Sequence, residues 1–216
     1  MLTKTFPPWL KRPLAIKAIE EMNELLKEYN LHTVCQGARC PNIGECFRQK
    51  EATFMILGNV CTRNCGFCSV KTGIPHKPDI DEPLRIAKAV RKLGLEYVVI
   101  TSVTRDDLPD GGAGNFASTI MVIRSNNPDI KIEILTPDFN NDINALKIII
   151  AARPDVFAHN IETVPRLYGE VRPHADYKGS ISILNYVKNN NGILKLTDKS
   201  SPEEISNIFG ISKKNI

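Results

Sequence analysis

Six cysteines are the residues of this sequence that point most directly to chemistry, and they form two sets of three. The first set has the spacing C-x4-C-x5-C and consists of Cys35, Cys40 and Cys46. The second has the spacing C-x3-C-x2-C and consists of Cys61, Cys65 and Cys68. Iron–sulfur clusters are held by thiolates, whereas structural zinc takes four ligands, commonly as two close pairs. The spacing favours iron–sulfur clusters and leaves zinc and disulfides as alternatives.

The composition indicates a reducing compartment. Apolar residues make up 42% and charged residues 24% of the 216 residues, and the net charge is +4. This modest charge is spread along the chain and does not predict a nucleic-acid partner. No apolar run approaches the roughly 18 residues of a membrane span, and the N-terminus lacks the apolar core of a signal peptide. We therefore expect a cytoplasmic protein, without a membrane partner, whose cysteines bind metal.

Alternating strand and helix patterns after the first cysteine set predict a parallel sheet covered by helices, an α/β fold. An amphipathic helix is expected at 13–29, before a cysteine-rich loop at 32–47 that has no periodicity. Apolar, β-branched runs predict strands at 54–59, 97–103, 130–135 and 155–161. Helical patterns alternate with them at 82–94, 116–127, 142–153 and 177–190. The second cysteine set begins two residues after the first strand, at the carboxyl edge where such sheets carry function.

Polar residues on or after these strands are candidates for binding a cofactor or substrate. They are Thr101, Ser102, Arg105, Glu133, Asn160, Glu162 and Arg172. A polar cluster at the carboxyl edge of a parallel sheet can bind a ligand, and the same residues can serve as caps and ion pairs. The Arg105-Asp106-Asp107 run can equally be a structural ion pair. The run 111–114 lacks the Lys-Ser/Thr of a P-loop and predicts a turn before a helix. His159 is expected to be hydrogen-bonded at a strand end.

Three thiolates on a four-iron cluster leave one iron without a protein ligand. That iron can bind the amino and carboxylate groups of S-adenosylmethionine. An electron from the cluster can then cleave the C–S bond and release a 5′-deoxyadenosyl radical, chemistry that belongs to cofactors and not to side chains.

The quoted motifs carry a family resemblance. The C-x3-C-x2-C motif, with Phe67 before its last cysteine, resembles the radical S-adenosylmethionine superfamily, and the upstream segment HTVCQGARCPNIGEC resembles the auxiliary-cluster motif of lipoyl synthases. Four further segments match that family in order: ATFMILGNVCTRNCGFCSV, TSVTRDDLPDGGAGNFA, EILTPDF and HNIETVPRLYGEVRPHADY. The resemblance runs from about residue 8 to about residue 188.

The resemblance implies the insertion of two sulfur atoms, at C6 and C8, into the octanoyl group on a lipoyl carrier domain. It implies two [4Fe-4S] clusters and S-adenosylmethionine as cofactors. The cluster that binds S-adenosylmethionine is then held by Cys61, Cys65 and Cys68, and the auxiliary cluster that supplies sulfur by Cys35, Cys40 and Cys46. The implied partners are octanoylated carrier domains, namely 2-oxoacid dehydrogenase E2 subunits and the glycine cleavage H protein, and a ferredoxin or flavodoxin type reductant.

The sequence departs from the family after about residue 188. Lipoyl synthases continue through two more β/α units to an R-S-S-Y segment, whose serine is a further ligand of the auxiliary cluster, and no such segment occurs here. We therefore expect a partial (β/α) barrel of the radical SAM type, truncated to about four or five strands, with GILKL as a possible fifth strand. The expected division is an N-terminal helix and auxiliary-cluster segment, the partial barrel, and a divergent helical tail, at 1–52, 53–188 and 189–216.

Other functions stay open from the sequence. The chain can be a truncated, non-catalytic iron–sulfur fragment of a lipoyl synthase. The tail resembles the opening of a helix-turn-helix or winged helix, which is the only support for a nucleic-acid-binding fusion. A zinc scaffold is a further alternative, and metal analysis separates it from an iron–sulfur protein at once.

Overall fold

The computed structural model describes residues 15–38, 40–190 and 194–196. Its helices are α1 Ile16–Glu28, α2 Val34–Gly37, α3 Ile43–Arg48, α4 Glu82–Leu93, α5 Ala113–Asn126, α6 Ile143–Ala151, α7 Tyr168–Val171 and α8 Tyr177–Asn189. Its strands are β1 His32–Thr33, β2 Thr53–Ile56, β3 Val60–Cys61, β4 Lys71–Thr72, β5 Tyr97–Ser102, β6 Lys131–Thr136, β7 Val156–His159 and β8 Leu194–Leu196. Two single 3-10 turns lie at Phe139–Asn141 and Pro165–Leu167.

One sheet organises the fold. In the described part of the chain it contains six strands in the order β1-β2-β5-β6-β7-β8. The pairs from β2 to β8 are parallel, whereas β1 runs antiparallel to β2. The order of the parallel strands follows the chain, so every β/α unit advances in the same direction, as in a (β/α) barrel. The expected partial barrel is confirmed, and residues 194–196 of the segment GILKL form its fifth parallel strand, β8.

The two faces of the sheet carry different residues, because successive side chains of a strand point in opposite directions. One face is apolar and fully buried, and it includes Phe54, Ile56, Ile100, Ile132 and Ile134. Helices α4, α5 and α6 pack side by side, and we infer that they cover this face. The other face, which we call the inner face, carries the alternate residues of the same strands and lines the cavities described below.

Helix α5 begins three residues before its predicted start. Gly111 and Gly112 adopt φ values of 60° and 92°, which are left-handed and favour glycine. The Asp110 carboxylate accepts hydrogen bonds from the backbone N of Gly112 and of Gly114, at 2.9 and 2.7 Å. The predicted turn is confirmed, and the carboxylate within it allows the helix to start as soon as the glycines end.

The cysteine-rich loop has more regular structure than the sequence indicated. It contains β1 and the short helices α2 and α3. The Thr33 hydroxyl caps α2 by accepting a hydrogen bond from the backbone N of Gln36 at 3.3 Å, and the buried Phe47 ties α3 to the core. Helices of four and six residues are too short to show an apolar period, so this part of the prediction was wrong.

Some expectations lie outside the described residues. They include most of the divergent helical tail expected at 189–216 and the first residues of the helix predicted at 13–29. The helices that the structure does describe include none that combines the length and the apolar character needed to cross a membrane.

Candidate functional site

The second cysteine set lies in a loop that follows β2 at the carboxyl edge of the sheet, as predicted. The short strands β3 and β4 pair in parallel and close the base of this loop, and the backbone N of Gly73 donates to the Cys61 carbonyl at 3.0 Å. At its far end, the backbone N of Gly66 donates to the Val171 carbonyl at 2.9 Å. We call residues 61–68 the cysteine loop. Its thiols are free, half-buried at Cys61 and Cys65 and exposed at Cys68.

An open cavity of about 200 Å³ lies against the cysteine loop, and we call it the carboxyl-edge cavity. It is lined by all three cysteines of the loop and by the ends of β5, β6 and β7. Five of the seven polar candidates line it: Thr101, Ser102, Asn160, Glu162 and Arg172. The structure therefore gathers side chains from three separate strand ends beside one cysteine set, which is the arrangement that the sequence predicted.

Two observations indicate that this cavity suits a polar ligand. The Ser102 hydroxyl oxygen is buried and has no hydrogen-bond partner among the described residues, and an unpaired buried hydroxyl costs free energy unless a ligand or water satisfies it. Glu162 has a φ of 68°, a left-handed conformation that non-glycine residues adopt rarely and often at functional sites. Both residues line the cavity.

The two remaining candidates do not line this cavity. Arg105 is 1% exposed and donates from Nε and Nη2 to the Asp107 carboxylate, at 2.8 and 2.7 Å. This salt bridge holds the pKa of Asp107 below its usual range, and it is the structural ion pair that the sequence left open. Glu133 is buried on β6 and accepts a hydrogen bond from the Tyr97 hydroxyl. Partial burial and this bond raise the pKa of Tyr97 to about 12.

Arg172, which directly follows α7, is a cationic residue that lines the carboxyl-edge cavity together with Cys65. Its side chain is buried, its Nη1 donates to the Asn160 carbonyl at 2.8 Å, and its guanidinium lies 5.9 Å from the centre of the Tyr168 ring. Burial raises the pKa of the Cys65 thiol, and the positive charge of Arg172 opposes that rise. The neighbouring Cys61 thiol raises it further. Arg172 is therefore placed to favour the thiolate form that metal binding requires.

Two cysteines of the first set, Cys35 and Cys46, line a second cavity of about 350 Å³, which we call the amino-edge cavity. Its lining includes Cys35, Cys46, Thr53, Tyr97 and Val99. The pKa of Cys46 is raised, first by burial and then by the nearby Cys35 thiol, with Cys40 adding to the effect. The three thiols of this set are therefore close enough to interact electrostatically, as those around Cys65 are.

The two cavities open on the same face of the sheet. Thr53 pairs with Val99, and both line the amino-edge cavity, whereas Met55 pairs with Thr101, and both line the carboxyl-edge cavity. Residues two apart on a strand share a face and are separated by about 7 Å along it. The two cysteine sets therefore serve neighbouring cavities on the inner face.

The donor atoms fit iron–sulfur clusters. Each set supplies three thiols, and thiolates are the usual protein ligands of [4Fe-4S] clusters. Within residues 15–38 and 40–190, no three His, Cys, Asp or Glu side chains converge closely enough for a single metal ion.

Sequence patterns missed one member of the site, Arg63. Its side chain is buried within the cysteine loop and lines the carboxyl-edge cavity. It forms salt bridges with Asp106 at 2.8 Å and with Asp138 at 2.6 Å. The available signal was an arginine between two ligand-type cysteines, together with carboxylates that follow the second and third predicted strands.

Comparisons with known proteins agree with this geometry. The family model described as the Radical SAM superfamily matches residues 55–197. A model described as a CvfB-like winged helix domain matches residues 182–215, most of which lie outside the described residues.

Curated relatives are similar over most of the chain. The lipoyl synthase of Rubrobacter xylanophilus is 57% identical over 183 residues, which cover 84% of this chain and 57% of the relative. That of Caldicellulosiruptor saccharolyticus is 56% identical over 189 residues, which cover 87% of this chain and 66% of the relative. The chain thus spans less than two thirds of the length of these relatives. The crystal structure of methylornithine synthase has a similar fold, with a TM-score of 0.53 at 15% identity, over 85% of this chain and 58% of that chain.

Proposed function

The chain belongs to the radical SAM superfamily, and we propose that it catalyses the lipoyl synthase reaction. In this reaction two sulfur atoms are inserted, at C6 and C8, into the octanoyl group on a lipoyl carrier domain. The similarity to curated lipoyl synthases over 84% to 87% of the chain supports the proposal. The structural observation that carries it is that Cys35 and Cys46 of the first set and all three cysteines of the second line neighbouring cavities on one face of the sheet.

The reaction explains why two thiol sets must be neighbours. Cys61, Cys65 and Cys68 would hold a cluster that, together with S-adenosylmethionine, would supply a radical able to take a hydrogen atom from an unactivated C–H bond. Sulfur must then be next to the activated carbon, since a carbon radical reacts with whatever lies closest. Cys35, Cys40 and Cys46 hold the auxiliary, sulfur-donating cluster in this proposal. On the inner face the two cavities are separated by two residues along β2 and β5.

The chain's own residues bind and orient the reactants. We assign contacts with S-adenosylmethionine or the octanoyl carbonyl to the residues that line the carboxyl-edge cavity, Thr101, Ser102, Asn160, Glu162 and Arg172. The buried hydroxyl of Ser102 can donate to a ligand oxygen, and the guanidinium of Arg172 can pair with a carboxylate. Arg105 pairs with Asp107, and Glu133 accepts from Tyr97, so neither is assigned a contact with the reactants in this cavity. No side chain is assigned the hydrogen abstraction itself.

The partners follow from the reaction. The acceptors in this proposal are octanoylated lipoyl carrier domains, such as 2-oxoacid dehydrogenase E2 subunits and the glycine cleavage H protein. A ferredoxin or flavodoxin type protein supplies electrons, and the reaction takes place in the cytoplasm. Reduced thiols are needed to hold both clusters, which agrees with that compartment.

The test uses a short substrate. The protein is reconstituted anaerobically with iron and sulfide and given S-adenosylmethionine, a strong reductant and an octanoyl-lysyl peptide, and the products are followed by mass spectrometry. We expect the dithiol peptide together with 5′-deoxyadenosine. If iron-loaded protein forms neither the dithiol peptide nor 5′-deoxyadenosine, the proposal is contradicted. Release of 5′-deoxyadenosine with an unchanged peptide would instead support the alternative of a non-catalytic iron–sulfur fragment.

Two variants serve as matched controls for this assay. The variant with Cys35, Cys40 and Cys46 all changed to Ala is expected to release 5′-deoxyadenosine without forming the dithiol peptide. The variant with Cys61, Cys65 and Cys68 all changed to Ala is expected to form neither product. Equal behaviour of the two variants would show that the sets do not divide the reaction as proposed.

A further inference from the structure

Arg63 is enclosed by hydrogen-bond acceptors from two other loops. Its Nε and Nη2 donate to the two carboxylate oxygens of Asp106, both at 2.8 Å. Its Nη1 and Nη2 donate to those of Asp138, at 2.6 and 2.8 Å. Nη2 also lies 2.6 Å from the side-chain oxygen of Asn140, so its two N–H groups are shared among three acceptors. Only the planar fork of a guanidinium can serve two carboxylates in this bidentate way.

The acceptors are held in a strained turn. Phe139, Asn140 and Asn141 have φ values of 47°, 51° and 61°, so three consecutive non-glycine residues are left-handed. Residues other than glycine keep this conformation only where their surroundings enforce it. The Asp138 carboxylate stabilises the turn by accepting from the backbone N of Asn140 at 3.1 Å. This strain is compatible with a turn whose shape is set by the need to reach Arg63.

The backbone around Arg63 is tied to the neighbouring cysteines. The backbone N of Arg63 donates to the Cys61 sulfur at 3.4 Å, and its carbonyl accepts from the Thr72 hydroxyl at 3.1 Å. One residue earlier, the backbone N of Thr62 donates to the Thr104 carbonyl at 3.1 Å. The guanidinium therefore connects the stretch between Cys61 and Cys65 to the loops that follow β5 and β6.

We propose that Arg63 is a positioning residue that holds the cysteine loop in place before any cluster binds. The side chain is 4% exposed and its partner Asp138 is 3% exposed, so the contact is shielded from water and from salt. Iron then meets a loop whose backbone is already fixed, and less conformational entropy is lost on binding. This inference rests on the proposed function only in taking Cys61, Cys65 and Cys68 as cluster ligands.

The substitutions are chosen to weaken the contact without removing a buried charge outright. Arg63→Lys keeps the positive charge and loses the fork, and Asp106→Asn weakens the more exposed of the two carboxylate contacts. Arg124→Lys is the matched control. Arg124 donates to the Asp155 carboxylate at 2.8 Å and to the Arg153 carbonyl at 2.7 Å, and both partners precede β7, at the edge opposite the cysteine loop.

The first readout is hydrogen exchange of the iron-free protein, followed by mass spectrometry of the segment 60–73. We expect Arg63→Lys and Asp106→Asn to speed exchange in this segment at least tenfold and to leave helix α5 unchanged, while Arg124→Lys leaves the segment unchanged. Unaltered exchange in both loop variants would overturn the proposal, as would an equal rise throughout the protein. If Arg63→Lys does not fold, Asp106→Asn decides the outcome alone.

The second readout is retention of iron. In protein that also carries Cys35→Ala, Cys40→Ala and Cys46→Ala, so that only the cysteine loop can hold a cluster, we expect Arg63→Lys to release iron to a chelator at least fivefold faster. Release at the rate of the Arg124→Lys control would contradict the proposed role. The proposed function can fail while this inference holds. In that case the unsubstituted protein forms no dithiol peptide, but Arg63→Lys still speeds hydrogen exchange in the segment 60–73.

Discussion

At the scale of single residues, a neutral histidine hydrogen-bonds β7 to β6 and α8 next to the carboxyl-edge cavity. His159 is fully buried, and its Nδ1 lies 2.9 Å from the Thr136 carbonyl oxygen, which can only accept a hydrogen bond. Nδ1 therefore carries the proton, and Nε2 accepts from the Ser180 hydroxyl at 3.0 Å. Burial lowers the pKa of His159 to about 4, so the ring stays neutral near pH 7 and the donor pattern is fixed.

This neutral ring makes stability depend on pH. In the unfolded chain the pKa returns to 6.5, so between pH 6.5 and about 4 the unfolded state binds a proton that the folded state does not. The free energy of unfolding should therefore fall as the pH is lowered through this range, by on the order of 3 kcal/mol from this group. Urea denaturation at several pH values should show a shallower decline for His159→Asn than for the unsubstituted protein. Parallel curves would refute this assignment.

Tyr168 is a second buried residue next to the carboxyl-edge cavity. Its hydroxyl donates to the Ile161 carbonyl at 2.6 Å and lies 3.5 Å from Arg172 Nη1. We expect Tyr168→Phe to lower the free energy of unfolding by about 1–3 kcal/mol, because the buried carbonyl loses its donor. Tyr186→Phe, on the partly exposed side of α8, is the control and should change it by less than about 0.5 kcal/mol. Equal effects in urea denaturation would argue against the Tyr168 contact.

At the scale of elements, the turn before α5 sets how closely it approaches the loop after β2. A Cβ at Gly112 would clash with the Leu57 Cδ1 atom, and the residue has a φ of 92°. We expect Gly112→Ala to destabilise the protein by about 2–4 kcal/mol, from backbone strain and overpacking together. Gly94→Ala isolates the strain, since Gly94 has a φ of 62° and nothing lies within 4 Å of the added atom. A similar loss for both variants in urea denaturation would show that the Leu57 contact has no effect.

The same scale shows what sequence patterns can predict. The parallel strands were found because each is an apolar run, and helix α4 because its apolar residues recur at helical spacing and Gly94 ends it. The helices α2 and α3 were missed because they are too short for a period. The contact between Arg63 and Asp138 joins residues 75 positions apart. No local pattern says which of many charges will meet, so this contact needed the structure.

At the scale of the whole molecule, the sheet assigns different tasks to its two faces. One face is apolar and stabilises the fold, and the inner face carries the two cavities and both cysteine sets. The sequence predicted that the second set lies at the carboxyl edge, which matches the structure, and five of the seven polar candidates line the cavity beside it. The sequence could not predict that the cavity of the first set would lie two residues along the strands from that of the second. This separation depends on the register of β2 with β5.

The central claim is that the six cysteines form two separate cluster sites, and counting iron tests it most directly. Iron and acid-labile sulfide are measured per chain after anaerobic reconstitution, for the unsubstituted protein and for each triple Cys→Ala variant. The account predicts about eight iron atoms in the unsubstituted protein and about four in each variant, with the spectrum of a [4Fe-4S] cluster in all three. Loss of all iron from either variant, or about four atoms in the unsubstituted protein, would contradict two independent sites.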